Sequence, residues 1–545
     1  MDAQANILET LRRAKIPSRL VEEFCPVTES LDWRLSEQFW MTAGTRGFIE
    51  DTVPYASTSG GALSQDAAAL LLSNCQENPP VGPVVVLELC AGTGLFARLF
   101  LEAFRRLCAE AGERFDENLM YYVTDRSPAT VSQWKEFGVF DGTGAIPARG
   151  DARRPLHWET SDGPVALSGI RAVFCNYGLD SLPAAIIRRG KDGPEELCVR
   201  THLTADEARL RRHNSPSLQE VQEKAGRLDA SLFGLRSLFE IEAAFLPCKR
   251  EYTMLEEALD LYGDLPRVIL NHGAMECLQA LVPALDPDGF MLFSDYGVRG
   301  SDATASHSNP QEFGDSRAIG LHFPLMANFV SSLGADLEAP EPGETASLHS
   351  RMLVRAGVPK TRAVFAKSFG AARWREARVH IQAGAKEDAK RVYESALEKY
   401  PRDWSLLGEV AEFLVRHAAD FEGGLELAKA ALALNPWYST WLWNVYGDAH
   451  FGLQRYVEAV EAYRLAEALS PRDVRTQLNL SYGCAALGDT EAALAAIARG
   501  FSHDEDGVYQ ERLRDKQQQI LSALGLLRGD AEKGRERTRV RLNAC

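Results

Sequence analysis

Hydrophobic and polar positions divide the chain into three regimes. From about residue 81 to 300, solid apolar runs alternate with stretches of helical period, the pattern of buried parallel strands with helices over both faces. The sharpest example is VVVLELCAGTGLFARLF, Val84 to Phe100. Four branched apolar residues run into Glu88, Gly92 and Gly94 make a turn, and an amphipathic helix begins near Leu95. Similar runs recur in NLMYYVTDRSP, GIRAVFCNYGLDSLP and VILNHGAMECLQALVPALDPDGFMLFSDYG. A polar, helical stretch at about 191–264 reads as an insertion that shapes access or elaborates the surface. Residues 1–80 read as a helical and irregular cap, in which Gly47 to Gly61 is a polar loop, either a lid or a surface connection.

The C-terminal third has a different period. Pro401, Pro436 and Pro471 stand 35 residues apart, with small and aromatic residues such as Ala389, Tyr393, Gly447, Ala459 and Tyr463 around them. Small residues let paired helices approach, aromatics fill the space between hairpins, and proline stops the second helix. About four tetratricopeptide repeats are predicted over residues 370–507, the second the most degenerate, with a capping helix to about 525 and a flexible tail over 526–545. Stacked hairpins expose a concave groove, so a protein partner or substrate is expected there.

Composition narrows the function. The chain has 545 residues, too many for one core, and is 45% hydrophobic and 25% charged. A formal net charge of -16 argues against a nucleic-acid partner. Ten cysteines without a CxxC pair indicate neither a zinc site nor a disulfide framework and suggest a reducing, cytoplasmic setting. No metal is expected, and no run is long enough for a membrane span. Oligomeric state is not readable.

The chemistry sits at strand ends. A glycine turn after a buried strand lets backbone approach a ligand, and an acid just ahead of it favours S-adenosylmethionine over other nucleoside-type cofactors. Glu88, Cys90, Ala91, Gly92 and Gly94 form that loop. Asp125 ends the second strand, where a carboxylate can accept from ribose hydroxyls, and Asp151 follows a third strand-like piece, near adenine. Asn176, Asp180 and Asp295 follow later strands and are candidates to orient a methyl acceptor or take its proton. Each has a plainer reading as a turn or capping residue. Gly92-x-Gly94-x-x-Ala97 also fits a dinucleotide fingerprint, which keeps an NAD-binding oxidoreductase open, although Asp125 comes later than the ribose-binding acid of that motif.

Taken in order, Glu88 to Gly94, Asp125-Arg126-Ser127-Pro128, Asn176 to Pro183 and Asp295-Tyr296-Gly297 resemble the MidA-like family of class I methyltransferases, the complex I assembly type, over roughly residues 40–340. The resemblance implies a Rossmann-like domain with a seven-stranded, mostly parallel sheet over 81–365, followed by the all-α repeat solenoid. It implies S-adenosylmethionine as cofactor and methyl transfer to a protein side chain, arginine among the candidates. Two positions depart from the family pattern. Cys90 replaces the first loop glycine, which is tolerable if the backbone there needs no positive φ. Tyr177 stands where the family has glutamate, which bears on arginine as acceptor. The rival reading is a non-catalytic repeat scaffold with a vestigial methyltransferase fold.

Overall fold

Six residues in succession, Val84–Leu89 (β1), are all buried, as a central strand with helices on both faces requires. The computed structural model describes residues 19–49, 55–161, 163–165, 168–299, 310–341, 348–355, 357–369, 374–504 and 506–523. Around β1 lie Leu119–Asp125 (β2), Ile146–Gly150 (β3), Ile170–Asn176 (β4), Leu285–Val298 (β5), Asp336–Glu338 (β6) and Leu348–Val354 (β7). The order is β3-β2-β1-β4-β5-β7-β6. The first five are parallel, and β7 runs antiparallel to both β5 and β6. A short hairpin, Trp158–Thr160 with Gly163–Val165, extends the β3 edge. Chain order reverses between β1 and β4, so the loops leaving them diverge and open a crevice at the strands' carboxyl ends.

Helix Leu95–Ala111 buries Leu95, Phe96, Leu99, Phe100, Ala103 and Phe104, a spacing of three and four that forms one face. Helix Ala62–Glu77 packs beside it.

The insertion differs from the sequence reading. Much of the interval between β4 and β5 is strand, beginning at Ala185, while helix His272–Leu281 packs in the core of the main sheet. Pro194–Leu203 pairs antiparallel with Ala185–Arg189, Phe239–Pro247 and, from the N-terminal region, Leu20–Pro26. Val268–Leu270, which reads like a strand of the main sheet, pairs instead with Ala185–Ile187. Three residues are too short to signal which sheet they join. The N-terminal region is therefore not all helical. The expected tail over 526–545 and residues 1–18 lie outside the described residues.

The C-terminal region is an all-helical solenoid of antiparallel pairs: Arg375–Gln382 with Lys386–Lys399, Trp404–Phe413 with Phe421–Leu434, Thr440–Gly452 with Tyr456–Leu469, and Val474–Ala486 with Thr490–His503. Gln510–Ala523 closes it. A Cβ at Gly447 would stand 2.4 Å from the Tyr463 ring, which explains small residues where helices cross. The degenerate second pair carries the irregularity, a π-turn at Leu414–Ala418 ending in Ala419 at φ 53°.

This solenoid is docked on the sheet domain. Asp403 accepts from Ala62 N at 2.7 Å and so caps a helix of the other domain. Trp404 donates from its amide to Gly60 O and from its indole to Ser59 O. Tyr55 donates to Tyr438 O at 2.8 Å. One apolar core runs from Phe100 and Phe174 through Tyr55 to Trp404, Tyr438 and Leu442.

Candidate active site

A cavity lies at the carboxyl ends of β1, β2 and β4. Its floor is the loop after β1. Cys90, Gly92 and Gly94 have φ of 54°, 54° and 74°, so the loop turns through three left-handed residues. This corrects the expectation for Cys90, whose position does need a positive φ. The cysteine fits because residue 178 is glycine: a Cβ there would lie 2.9 Å from Cys90 Cβ and 2.7 Å from Cys175 Sγ. Gly92 O accepts from the buried Trp134 indole at 2.8 Å, and Ala91 N donates to Thr124 O. Gly94 starts the helix and packs on Phe140 and Trp134, away from the cavity wall.

Glu88 is 2% exposed and accepts from the Tyr121 hydroxyl at 2.8 Å. Burial lifts its carboxyl to about 8, so it is neutral at pH 7 and braces the loop from below. Asp125, at the end of β2, accepts from Ser127 N at 2.9 Å and from Gly92 N at 3.1 Å. Burial raises it to about 6 against those amide bonds. Asp151 lines the same side, but its carboxylate is already held in a fork by Arg153, with one bond of 2.8 Å. Burial pulls Asp151 up, and the Arg153 bonds more than offset that and hold it below the usual range. Glu37, from helix Leu31–Ala43, lies 3.5 Å from Arg126 and 3.8 Å from Arg153, tying the N-terminal helix to this wall.

The opposite wall is aromatic and acidic. Asn176 ends β4, and Tyr177 follows at φ 51°, its amide donating to Ser294 O on β5. The Tyr177 ring stacks at 5.3 Å on Tyr296, which stacks in turn on Phe313 at 6.1 Å. Asp180 lies in the single turn Leu179–Ser181 and lines the cavity, and it is not a cap. Asp295 sits behind it, fully buried and outside the cavity wall, accepting from Leu179 N and Asp180 N at 3.1 and 3.2 Å. The two carboxyls also hydrogen-bond each other. Burial raises both, and the neighbouring Asp180 carboxyl raises Asp295 further.

Of the predicted residues, the structure brings Glu88, Cys90, Ala91, Gly92, Asp125, Asp151, Asn176 and Asp180 to one cavity, with Gly94 and Asp295 one layer behind. Sequence reasoning missed Trp33, Glu37 and Trp40 on the N-terminal helix and the Phe313 to Ala318 hairpin, whereas Phe48, Tyr55, Thr58 and Ser59, which also line the cavity, belong to the Gly47 to Gly61 stretch left open between lid and surface connection. Phe48 Cζ comes within 2.8 Å of where a Gly92 Cβ would stand, so only glycine fits beneath it. Among the described residues no cluster could hold a metal ion.

A doubly wound sheet in the order above, with a glycine loop after β1 and an acid ending β2, defines a nucleoside-cofactor domain of methyltransferase type. Residues 67–316 match the family described as "Putative S-adenosyl-L-methionine-dependent methyltransferase". The match covers somewhat less than half of the chain, with S-adenosylmethionine as the cofactor, and the helical pairs that follow it carry prolines 35 residues apart. Two structures from Burkholderia thailandensis are similar. One is an uncharacterised protein at 18% identity, covering 62% of this chain and 78% of that one, with TM-score 0.38. The other is a superfamily member bound to S-adenosyl-homocysteine at 18% identity, covering 57% and 78%, with TM-score 0.35. A thermophilic TPR protein of Thermus thermophilus is similar at 22% identity, covering 28% and 82%, with TM-score 0.26. No curated protein matches the sequence.

Proposed function

We propose that the protein transfers a methyl group from S-adenosylmethionine to a nitrogen of a protein side chain, arginine among the candidates. The observation that carries this reading is the division of one cavity between a glycine loop with Asp125 and a wall of Tyr177, Tyr296 and Asp180. The cradle fits the cofactor: it is open backbone at left-handed residues with a carboxylate at the strand end. Asp125 would accept from the ribose hydroxyls, and the Cys90–Gly92 backbone would face the methionine portion. When bound, the cofactor supplies an activated methyl on a cationic sulfur.

The chain's own contribution is position and proton transfer. The π-faces of Tyr177 and Tyr296 attract a cationic acceptor and orient it. Asp180, with its carboxyl raised by burial, accepts the proton that the nitrogen must lose, while Asp295 accepts from the Leu179 and Asp180 amides and holds the turn in place. Asn176 offers an amide at the strand end beside them. The tyrosine at 177 removes a fixed negative charge but leaves a flat ring, which suits a guanidinium or an amine.

The test is incubation of the purified protein with methyl-labelled S-adenosylmethionine and cell extract, followed by mass spectrometry of labelled protein. Label on arginine or another side-chain nitrogen is expected. Label confined to small molecules would overturn the protein substrate. Saturable cofactor binding with no transfer at all would favour the scaffold reading, which the Tyr177 substitution supports.

A further inference from the structure

The second cavity is the concave side of the first repeats, and it meets the first. Phe48 and Tyr55 line both. Arg375, on the first repeat helix, lines the groove and stands close enough to the Tyr296 phenol to oppose the effect of its burial. The groove floor is aromatic, with Tyr393, Phe413 and Trp441.

Its charge is ordered by depth. Arg378 pairs with Glu409, but the arginine side chain is 66% exposed and the glutamate 13%. Arg416 pairs with Glu412 at 47% and 26%. Glu412 is further engaged by Arg475 and by the Trp441 indole, so its charge is met from three sides. Arg375 is exposed and has no ion pair among the described residues. The exposed Lys386 lies beyond the other end of that helix, its ammonium on the carbonyl of His417, beside Arg416, at 2.8 Å. A ligand entering the groove meets guanidinium groups first and glutamates last, on a chain whose net charge is -16.

We infer that this groove docks an extended, acidic polypeptide segment with interspersed apolar side chains, and that the segment leads from Arg416 past Arg378 to Arg375 at the entrance of the acceptor site. The inference deepens the proposed methyl transfer and rests on it only for the fate of the segment's end. Apolar side chains suit the aromatic floor, and carboxylates suit the three arginines.

The experiment uses the full chain and fluorescence anisotropy. One fluorescein-labelled peptide of about ten residues alternates Glu with Leu, and the control carries Lys for Glu. The acidic peptide should bind and the Lys peptide should not. The triple variant Arg375→Ser, Arg378→Ser, Arg416→Ser should lose at least ~10-fold in affinity, and Arg375→Ser alone, which breaks no internal pair, should lose about 3-fold. Calorimetry with S-adenosylhomocysteine on the same proteins should give unchanged binding, which also shows that the variants are folded. Equal binding of the two peptides, or no loss in the variants, would overturn the inference. Acidic-peptide binding without S-adenosylhomocysteine binding in the wild type would uphold the groove and sink the methyl transfer instead.

Discussion

The two walls of the cavity are built in opposite ways. The cofactor wall comes from short, contiguous pieces: Glu88 to Gly94 on one turn, Asp125 to Ser127 on the next. Its groups are mostly backbone, and its carboxylates are already bound to amides or arginines. The acceptor wall gathers Trp40, Tyr177, Asp180, Tyr296 and Phe313, and Phe48 roofs the cradle, from segments far apart in the chain. A ligand common to many enzymes can be held by a local motif. An acceptor particular to one enzyme needs side chains that only the whole fold can assemble.

If that division is real, the walls should fail separately. Asp180→Asn should lower turnover by ~10²–10⁴ while leaving cofactor affinity within about 3-fold, since it removes a proton acceptor and little else. Asp125→Ala should instead weaken cofactor binding by at least ~100-fold, the loss of two charge-assisted hydrogen bonds. Calorimetry with S-adenosylhomocysteine and single-turnover methyl transfer separate the two. Comparable loss of binding in both variants would merge the walls into one.

The repeats enter the comparison through the segment beside the cofactor loop. Phe48 packs at a tilt against Trp40 and edge-on against Tyr55, and Tyr55 lies 5.6 Å from Trp404. Trp404→Ala removes a side chain only 2% exposed and its bond to Ser59 O, at a cost of about 3–5 kcal/mol. Thermal unfolding should then split into two transitions, the solenoid melting first. A single transition at the wild-type temperature would show that the domain contact contributes nothing.

Acid should reach the cofactor wall in a defined window. Asp125 titrates near 6 in the folded chain and near 3.8 when free of it, so between those values the folded state holds the extra proton. Its contribution to folding therefore declines as pH rises from about 4 to 6, whereas cofactor binding, to which the proposed reading gives the Asp125 carboxylate, should rise. S-adenosylhomocysteine affinity should fall towards 10-fold per unit below about pH 6. In Asp125→Asn the fall should vanish; if the fall persists there, another group controls binding.

Much of the cofactor wall could be read from the sequence because strand, turn and acid are consecutive, and the repeat solenoid because proline and small residues keep their period. On the opposite wall, Asn176, Asp180 and the underlying Asp295 were legible because they follow apolar runs, and Tyr177 and Tyr296 because they stand in the same motifs. Trp33 and Trp40 have no local signature, because an aromatic on an amphipathic helix looks the same against a core or a cavity. The second sheet was hidden for a related reason. Phe239–Pro247 alternates weakly and is largely exposed, and Val268–Leu270 is three residues long, so partner strands rather than pattern decide their structure.

The smallest effect tests the one place where the cofactor motif departs from local rules. Cys90 at φ 54° bears a left-handed cost of about 1–2 kcal/mol. Glycine would remove that cost, lose about 0.5–1 kcal/mol to chain entropy, and give up the packing of Sγ near Cys175. Cys90→Gly should therefore change stability by less than about 1 kcal/mol. Gly178→Ala alone should cost about 1–3 kcal/mol, because its Cβ would meet Cys90 Cβ at 2.9 Å and Cys175 Sγ at 2.7 Å. In the double variant the first of those clashes disappears, so the pair should be more stable than the sum of its parts by about 0.5 kcal/mol or more. Urea midpoints of the four proteins, measured under reducing conditions, give that coupling directly. Strict additivity would mean that the glycine at 178 answers to Cys175 alone, and that the loop tolerates its cysteine for another reason.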